Sequence, residues 1–143
     1  MGLDNGIIIK GKTEKGRNFL KEYFSSLEDK YTKEEYELGY WRKCWNIREK
    51  FFEVFPEEYH VSLKFKDIPK VIKILKYFLK EKNWTKTNAQ SQVFSWVDEL
   101  PSIAISIQNL SRVYEEYLEN KEYVEEYKGL NDKDFDFYFY DSY

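Results

Sequence analysis

Apolar positions recur at helical spacing in three places along the chain. Ile68, Val71, Ile72, Leu75, Phe78 and Leu79 form a stripe, with Asp67 placed as N-cap and Pro69 in the first turn, so a helix is predicted there. Phe19, Leu20, Tyr23, Phe24 and Leu27 predict a shorter one, set behind the polar stretch GKTEKGRN, which reads as loop. A third begins at DELP and carries Leu100, Ile103, Ala104, Ile107, Leu110, Tyr114, Tyr117 and Leu118, continuing or kinking near Asn120 before Gly129 ends it.

The stretch ELGYWRKCWNIREKFFEVF also fits a helix, from about Leu38 to Phe55, stopped by Pro56. Tyr40, Trp41, Cys44, Trp45, Ile47, Phe51, Phe52, Val54 and Phe55 then share one side. Arg48 falls in the middle of that apolar side, where a guanidinium needs a carboxylate, carbonyls, water or an anionic ligand.

Period-two patterns mark strands. GIIIK reads as a short buried strand behind a turn of Asp4, Asn5 and Gly6, EYHVSLKF as a strand over 59–64, and SQVFSW as another. The tail DFDFYFYDSY alternates, with Phe135, Phe137 and Phe139 on one face and Asp136, Tyr138 and Tyr140 on the other. So aromatic a strand would aggregate if left at an edge, which predicts that it pairs inside a sheet. The expected fold is α+β, a small, mainly antiparallel sheet covered by three or more helices, in a single domain over residues 1–143 with no repeat.

Composition narrows the classes. A chain of 143 residues can bury a core without a metal or disulfide staple. It is 20% aromatic and 34% charged, which excludes an ordinary disordered segment. The net charge of −3 gives no overall attraction to nucleic acid or an anionic membrane. Cys44 is the only cysteine, so no internal disulfide forms, and a reducing cytoplasmic compartment is expected. The apolar run Gly6–Ile9 is too short for a signal segment or a membrane span. Gly2 lacks the Ser or Thr that myristoylation wants at position 6.

Catalytic chemistry finds little support. His60 is the only histidine, and there is no GxSxG, Walker loop or GxGxxG, so no catalytic residue, metal ligand set or cofactor is assigned. Acidic clusters such as YEEYLENKEYVEEY read as a solvated helix face. Lysines dominate from Lys64 to Lys86, whereas Glu115 to Asp141 is acidic. The lysine face is either the wet side of a helix or a surface for a phosphate-bearing ligand, an acidic protein, or the acidic region of a second copy. A homo-oligomer is therefore one expected partner state.

The sharpest candidate site is YWRK, Tyr40 to Lys43, with Arg48 following. Two flat rings and neighbouring cations at one helix end can hold a phosphate and stack a base. The opposing reading makes Tyr40 and Trp41 core, leaves Arg42 and Lys43 on the surface, and pairs Arg48 with Asp4 or a tail aspartate.

In order and rough spacing, the blocks MGLDNGI, YWRKCWNI, EYHVS, AQSQVF and FYFYDSY resemble a group of small phage and prophage proteins. Those open with MGLDMYL, carry YWRKAN near one third of the chain, a YYVS strand and a TQSGFFFGS-like strand, and end in an FYYxSSW-like strand. Arg48 stands where they usually have histidine, and Gln92 to Trp96 replaces their Gly-Phe-Phe-Phe-Gly, so a role needing a titratable imidazole in that helix does not carry over, whereas one needing a polar or cationic group inside an aromatic pocket does. The resemblance implies a shared site among the polar residues of the matching blocks: Asp4, Tyr40, Arg42, Lys43, Arg48, His60, Gln90, Ser91, Tyr138, Ser142 and Tyr143.

Small aromatic-rich phage proteins without catalytic motifs often inhibit bacterial immunity, so the resemblance implies an anti-defence role in the cytoplasm of an infected host. The first expectation is a module that sequesters a nucleotide-derived signal, a cyclic dinucleotide or ADP-ribose derivative, without turnover. Arg42, Lys43 and Arg48 would hold phosphate, while Trp41, Tyr138 and Tyr143 stack on a base or ribose. Tyr40, Gln90 and Ser91 complete the expected ligand set, with Asp4, His60 and Ser142 as secondary candidates. The alternative is an inhibitor that blocks a bacterial defence or host protein through an aromatic patch. A phosphodiester-cleaving enzyme, with His60 or a tyrosine–carboxylate pair as base, ranks third. No membrane and no sequence-specific nucleic acid is expected as partner.

Overall fold

Ile7 and Ile9 have the alternation of a strand with one face in a core, and the strand they belong to is paired on both sides. The structure, a computed structural model, describes residues 4–24, 35–42, 44–56, 61–80 and 99–142. Among these residues four strands, β1 (Asp4–Gly11), β2 (Glu35–Arg42), β3 (Val61–Ser62) and β4 (Phe135–Ser142), form one antiparallel sheet in the order β2-β1-β4-β3. Four helices accompany it: α1 (Glu14–Phe24), α2 (Trp45–Val54), α3 (Ile68–Lys80) and α4 (Leu100–Tyr123). The chain has a small α+β fold with an antiparallel sheet, as its patterning predicts.

The expected helix over Leu38 to Phe55 is overturned in its first third. Residues Glu35–Arg42 are strand, and the helix runs only from Trp45 to Val54. The cause is a β-bulge: Ile7 pairs with Gly39 and Ile8 with Glu37, so Leu38 is the extra residue. Burial therefore passes from Tyr36 and Leu38 to Gly39 and Trp41, a phase slip that breaks the period of two and imitates helical spacing.

Three other boundaries move. Asp4, Asn5 and Gly6 are not a turn but the start of β1, held extended by pairing with Trp41 and Asp141 on either side of Asn5. The polar stretch after β1 is already helical from Glu14, because Thr13 caps it: its Oγ1 accepts from Gly16 N at 3.1 Å. Asp67 closes a 3-10 turn, Phe65–Asp67, by accepting from Lys64 N at 2.9 Å, and α3 follows directly. The expected strand SQVFSW and Leu27 lie outside the described residues.

One face of the sheet meets the helices. Phe51 of α2 stacks on Phe139 at 4.1 Å and 5°. Phe19 of α1 meets Phe135 edge-on at 5.8 Å. From α4, Asn109 Nδ2 donates to Leu38 O at 3.1 Å, while the Ser106 side chain fills the space over Gly39. Phe65 stacks on Tyr117 at 3.7 Å, tying the lead-in of α3 to α4. Burying such a ring contributes about 1.5–3 kcal/mol, and the aromatic contacts add to that. No helix among the described residues is long and apolar enough to cross a membrane.

Candidate functional site

Strand alternation sends every second side chain to the face of the sheet away from the core cluster, and the register orders those residues in rows. Arg42, Asp4 and Ser142 make the first row, Tyr40, Gly6 and Tyr140 the second. Glu37, Ile8 and Tyr138 follow, then Glu35, Lys10 and Asp136. Sequence segments far apart thus place three tyrosines in two adjacent rows, with Arg42 and Asp4 at one end.

Tyr40 OH donates to Asp4 Oδ1 at 2.9 Å, and Arg42 Nε lies 4.0 Å from the same oxygen. Asp4 and Arg42 are 47% and 65% exposed, so this pair is worth little as a tether and stays available for contacts. Gly6 is required where it is. A Cβ there would collide with the Gly39 carbonyl oxygen and lie 3.1 Å from Tyr140 Cε1, so the Tyr140 ring leans across the gap that glycine leaves.

Burial first, then the hydrogen bond to Asp4, pushes the Tyr40 hydroxyl up to about 12. Tyr138 is raised as well, by burial and by Glu35 and Asp136. Both hydroxyls are protonated donors at neutral pH. A tyrosine–carboxylate base would need the opposite shift, toward the working pH. Burial likewise raises the Cys44 thiol far from thiolate formation. Among the described residues no three His, Cys, Asp or Glu side chains gather to hold a metal ion.

Arg48 lies on the other side of the sheet. Its Nε donates to Asp141 Oδ2 at 2.5 Å, and its guanidinium carbon sits 4.9 Å from the Phe52 ring centroid. Asp141 shares its row with Asn5 and Trp41, both fully buried among the helices. Among the described residues the buried Asn5 Oδ1 and Trp41 Nε1 meet no hydrogen-bond partner, a cost of about 1–3 kcal/mol each.

The expected ligand set is therefore divided by the sheet. Asp4, Tyr40, Arg42, Tyr138 and Ser142 share one face. Trp41 and Arg48 share the opposite one, because neighbours in a strand point oppositely where neighbours at a helix end do not. Lys43, His60, Gln90, Ser91 and Tyr143 lie outside the described residues. Tyr140 and Glu37 belong to the tyrosine face without having been singled out from sequence, although the alternation of the tail already put Tyr140 beside Tyr138. Compared with protein-family models, curated proteins and solved structures, the chain matches none.

Proposed function

We propose that this protein acts by binding, without turnover, and that the tyrosine face contacts a partner protein. The observation that carries the reading is the clustering of Tyr40, Tyr138 and Tyr140 in adjacent rows, with Arg42 at the edge. Tyrosine and arginine concentrate binding energy at interfaces, tyrosine through large rigid area at low entropic cost and arginine through its planar fork of donors. The raised hydroxyls of Tyr40 and Tyr138 suit donation, not proton abstraction. Charge selects the partner: Asp4, Glu35, Glu37 and Asp136 outnumber Arg42 and Lys10 on this face, which favours a basic rim and disfavours polyphosphate. With the resemblance to phage proteins, the partner class is a bacterial defence protein.

Immobilised protein exposed to host lysate tests this. A stoichiometric protein lost with Tyr138→Ala/Tyr140→Ala, and kept with a distant double substitution, is the expected result. A partner that ignores the tyrosines defeats the reading.

A nucleotide-derived ligand is the second reading, favoured by the exposed Arg42 beside the Tyr40 ring, the smallest set that could hold a phosphate and stack a base. It predicts thermal stabilisation by a cyclic dinucleotide or an ADP-ribose derivative. An ultraviolet-absorbing molecule released on denaturation would favour it over the first.

A further inference from the structure

Beyond the tyrosine face, and independent of it, one wall of the helical layer is strongly cationic. Pro69, Ile72, Lys73, Lys76, Tyr77 and Lys80 line a hollow of about 430 Å³ along α3. A second, of about 410 Å³, adjoins it between α2 and α3, sharing Lys73 and Tyr77 and adding Lys50 and Lys70 over Val54 and Ile74. Tyr77 is 50% exposed there. The wall combines an apolar floor with lysine rims. It offers lysine point charges without a bidentate arginine and only one ring for stacking, a poor fit to nucleic acid but a good one to an acidic helix with apolar anchors.

The chain carries such a helix. Glu115, Leu118, Glu119 and Glu122 form one stripe of α4, with Tyr123 beside it. Leu118 and Tyr123 are 39% and 79% exposed. Among the described residues no ion pair engages Lys70, Lys73, Lys76 or Lys80, nor Glu115, Glu119 or Glu122.

The spacing matches as well as the sign. Along α3 the lysines step by three and then four residues, Lys73 to Lys76 to Lys80. Read backwards along α4, the glutamates step identically, Glu122 to Glu119 to Glu115. Two helices laid antiparallel therefore place Lys73 by Glu122, Lys76 by Glu119 and Lys80 by Glu115, each set spanning about 10.5 Å. In that register Tyr77 faces Leu118 and Ile72 faces Tyr123.

We propose that the α2–α3 groove takes the acidic stripe of α4 from a second copy of this chain, in this antiparallel register. The contact is heterologous, groove to helix, so an open pair retains an unused helix stripe on one copy and an unused groove on the other unless the assembly closes.

Charge reversal tests it on the whole protein by light scattering after size exclusion, with circular dichroism confirming the fold; all reversed residues are exposed. Wild-type mass is expected to rise with concentration above one chain and to fall back in 1 M salt, where the Debye length is about 3 Å. Lys73→Glu/Lys76→Glu and Glu119→Lys/Glu122→Lys should each weaken association by at least about tenfold. An equimolar mixture of the two should regain mass, because an intact groove meets an intact helix, and the chain with all four reversals should associate again. A wild type that stays a single chain at every concentration overturns the proposal, as does assembly indifferent to the reversals or a mixture that fails to recover. So does a single chain that binds a single-stranded DNA oligomer and loses it with Lys73→Glu/Lys76→Glu, which would assign the groove to phosphates. None of these substitutions touches the tyrosine face, so capture of a partner protein is expected to survive them.

Discussion

Arg48 of α2 and Asp141 of β4 form an ion pair 93 residues apart in sequence, with Arg48 Nε 2.5 Å from Asp141 Oδ2. It fastens the helix that follows β2 to a central strand of the sheet. The side chains are 27% and 9% exposed, so removing one partner leaves the other partly buried and unmatched. Asp141→Asn and Arg48→Met are each expected to cost roughly 2–3 kcal/mol in urea unfolding. Arg48→Met with Asp141→Asn should cost less than the two singles added, with a coupling of about 1–2 kcal/mol. Strict additivity would show that the pair does not hold the helix down.

Alkaline pH should unfold the protein through its tyrosines. Tyr40 and Tyr117 are each pushed from 10.0 up to about 12, chiefly by burial. Tyr23, Tyr127 and Tyr138 are raised for the same leading reason. The folded state then holds protons that the unfolded chain releases, so the stabilisation is complete below pH 10 and is lost as pH climbs toward 12. Melting temperature followed from pH 8 upward should fall from about pH 10, in step with the appearance of tyrosinate absorbance. A flat profile through that window would contradict the buried placement of these rings.

Gly6→Ala is expected to destabilise by more than about 2 kcal/mol, since the new methyl meets the Gly39 carbonyl, backbone that cannot rotate away. Gly16→Ala meets the Asp134 carbonyl and should behave alike. At Gly129 a Cβ would meet only Lys15 Nζ, at an ordinary 3.8 Å, but the residue sits at φ 85°, so its alanine variant should lose only about 1 kcal/mol, from strain alone. Chemical denaturation of the three variants ranks them. Equal losses would disprove the close approach between β1 and β2.

On the tyrosine face, Tyr140→Ala is expected to weaken partner binding by about 2 kcal/mol or more, measured by calorimetry once the partner is in hand. Tyr40→Phe removes only the hydroxyl that Asp4 accepts from, and should cost about 0.5–1.5 kcal/mol in stability. A binding loss larger for Tyr40→Phe than for Tyr140→Ala would move the contact toward Asp4 and Arg42.

The apolar stripe of α3 and the alternation of β4 are plain in the sequence because in each a single period runs unbroken from end to end. β2 is not, and the reason is local. The extra residue at Leu38 shifts the buried positions by one, so that Leu38, Trp41, Cys44 and Ile47, three apart in turn, read as one helical side. That misreading put Tyr40 and Trp41 together when the sheet separates them. Arg48 is a different case. Its need for a negative partner is legible from its neighbours, whereas choosing Asp141 over Asp4 or a ligand depends on a pairing between distant strands that no local pattern encodes. The tyrosine face was half legible, since the tail alternation groups Tyr138 with Tyr140 but cannot say that Tyr40 and Asp4 arrive beside them.

The two inner strands, β1 and β4, bracket every other described element, so their ladder closes a loop of more than a hundred residues. During synthesis the edge of β1 that β4 covers cannot take its native partner until Phe135–Ser142 has left the ribosome. Such a topology folds slowly and exposes a sticky intermediate, so yield in cells should depend on chaperones and temperature more than the final stability alone would suggest.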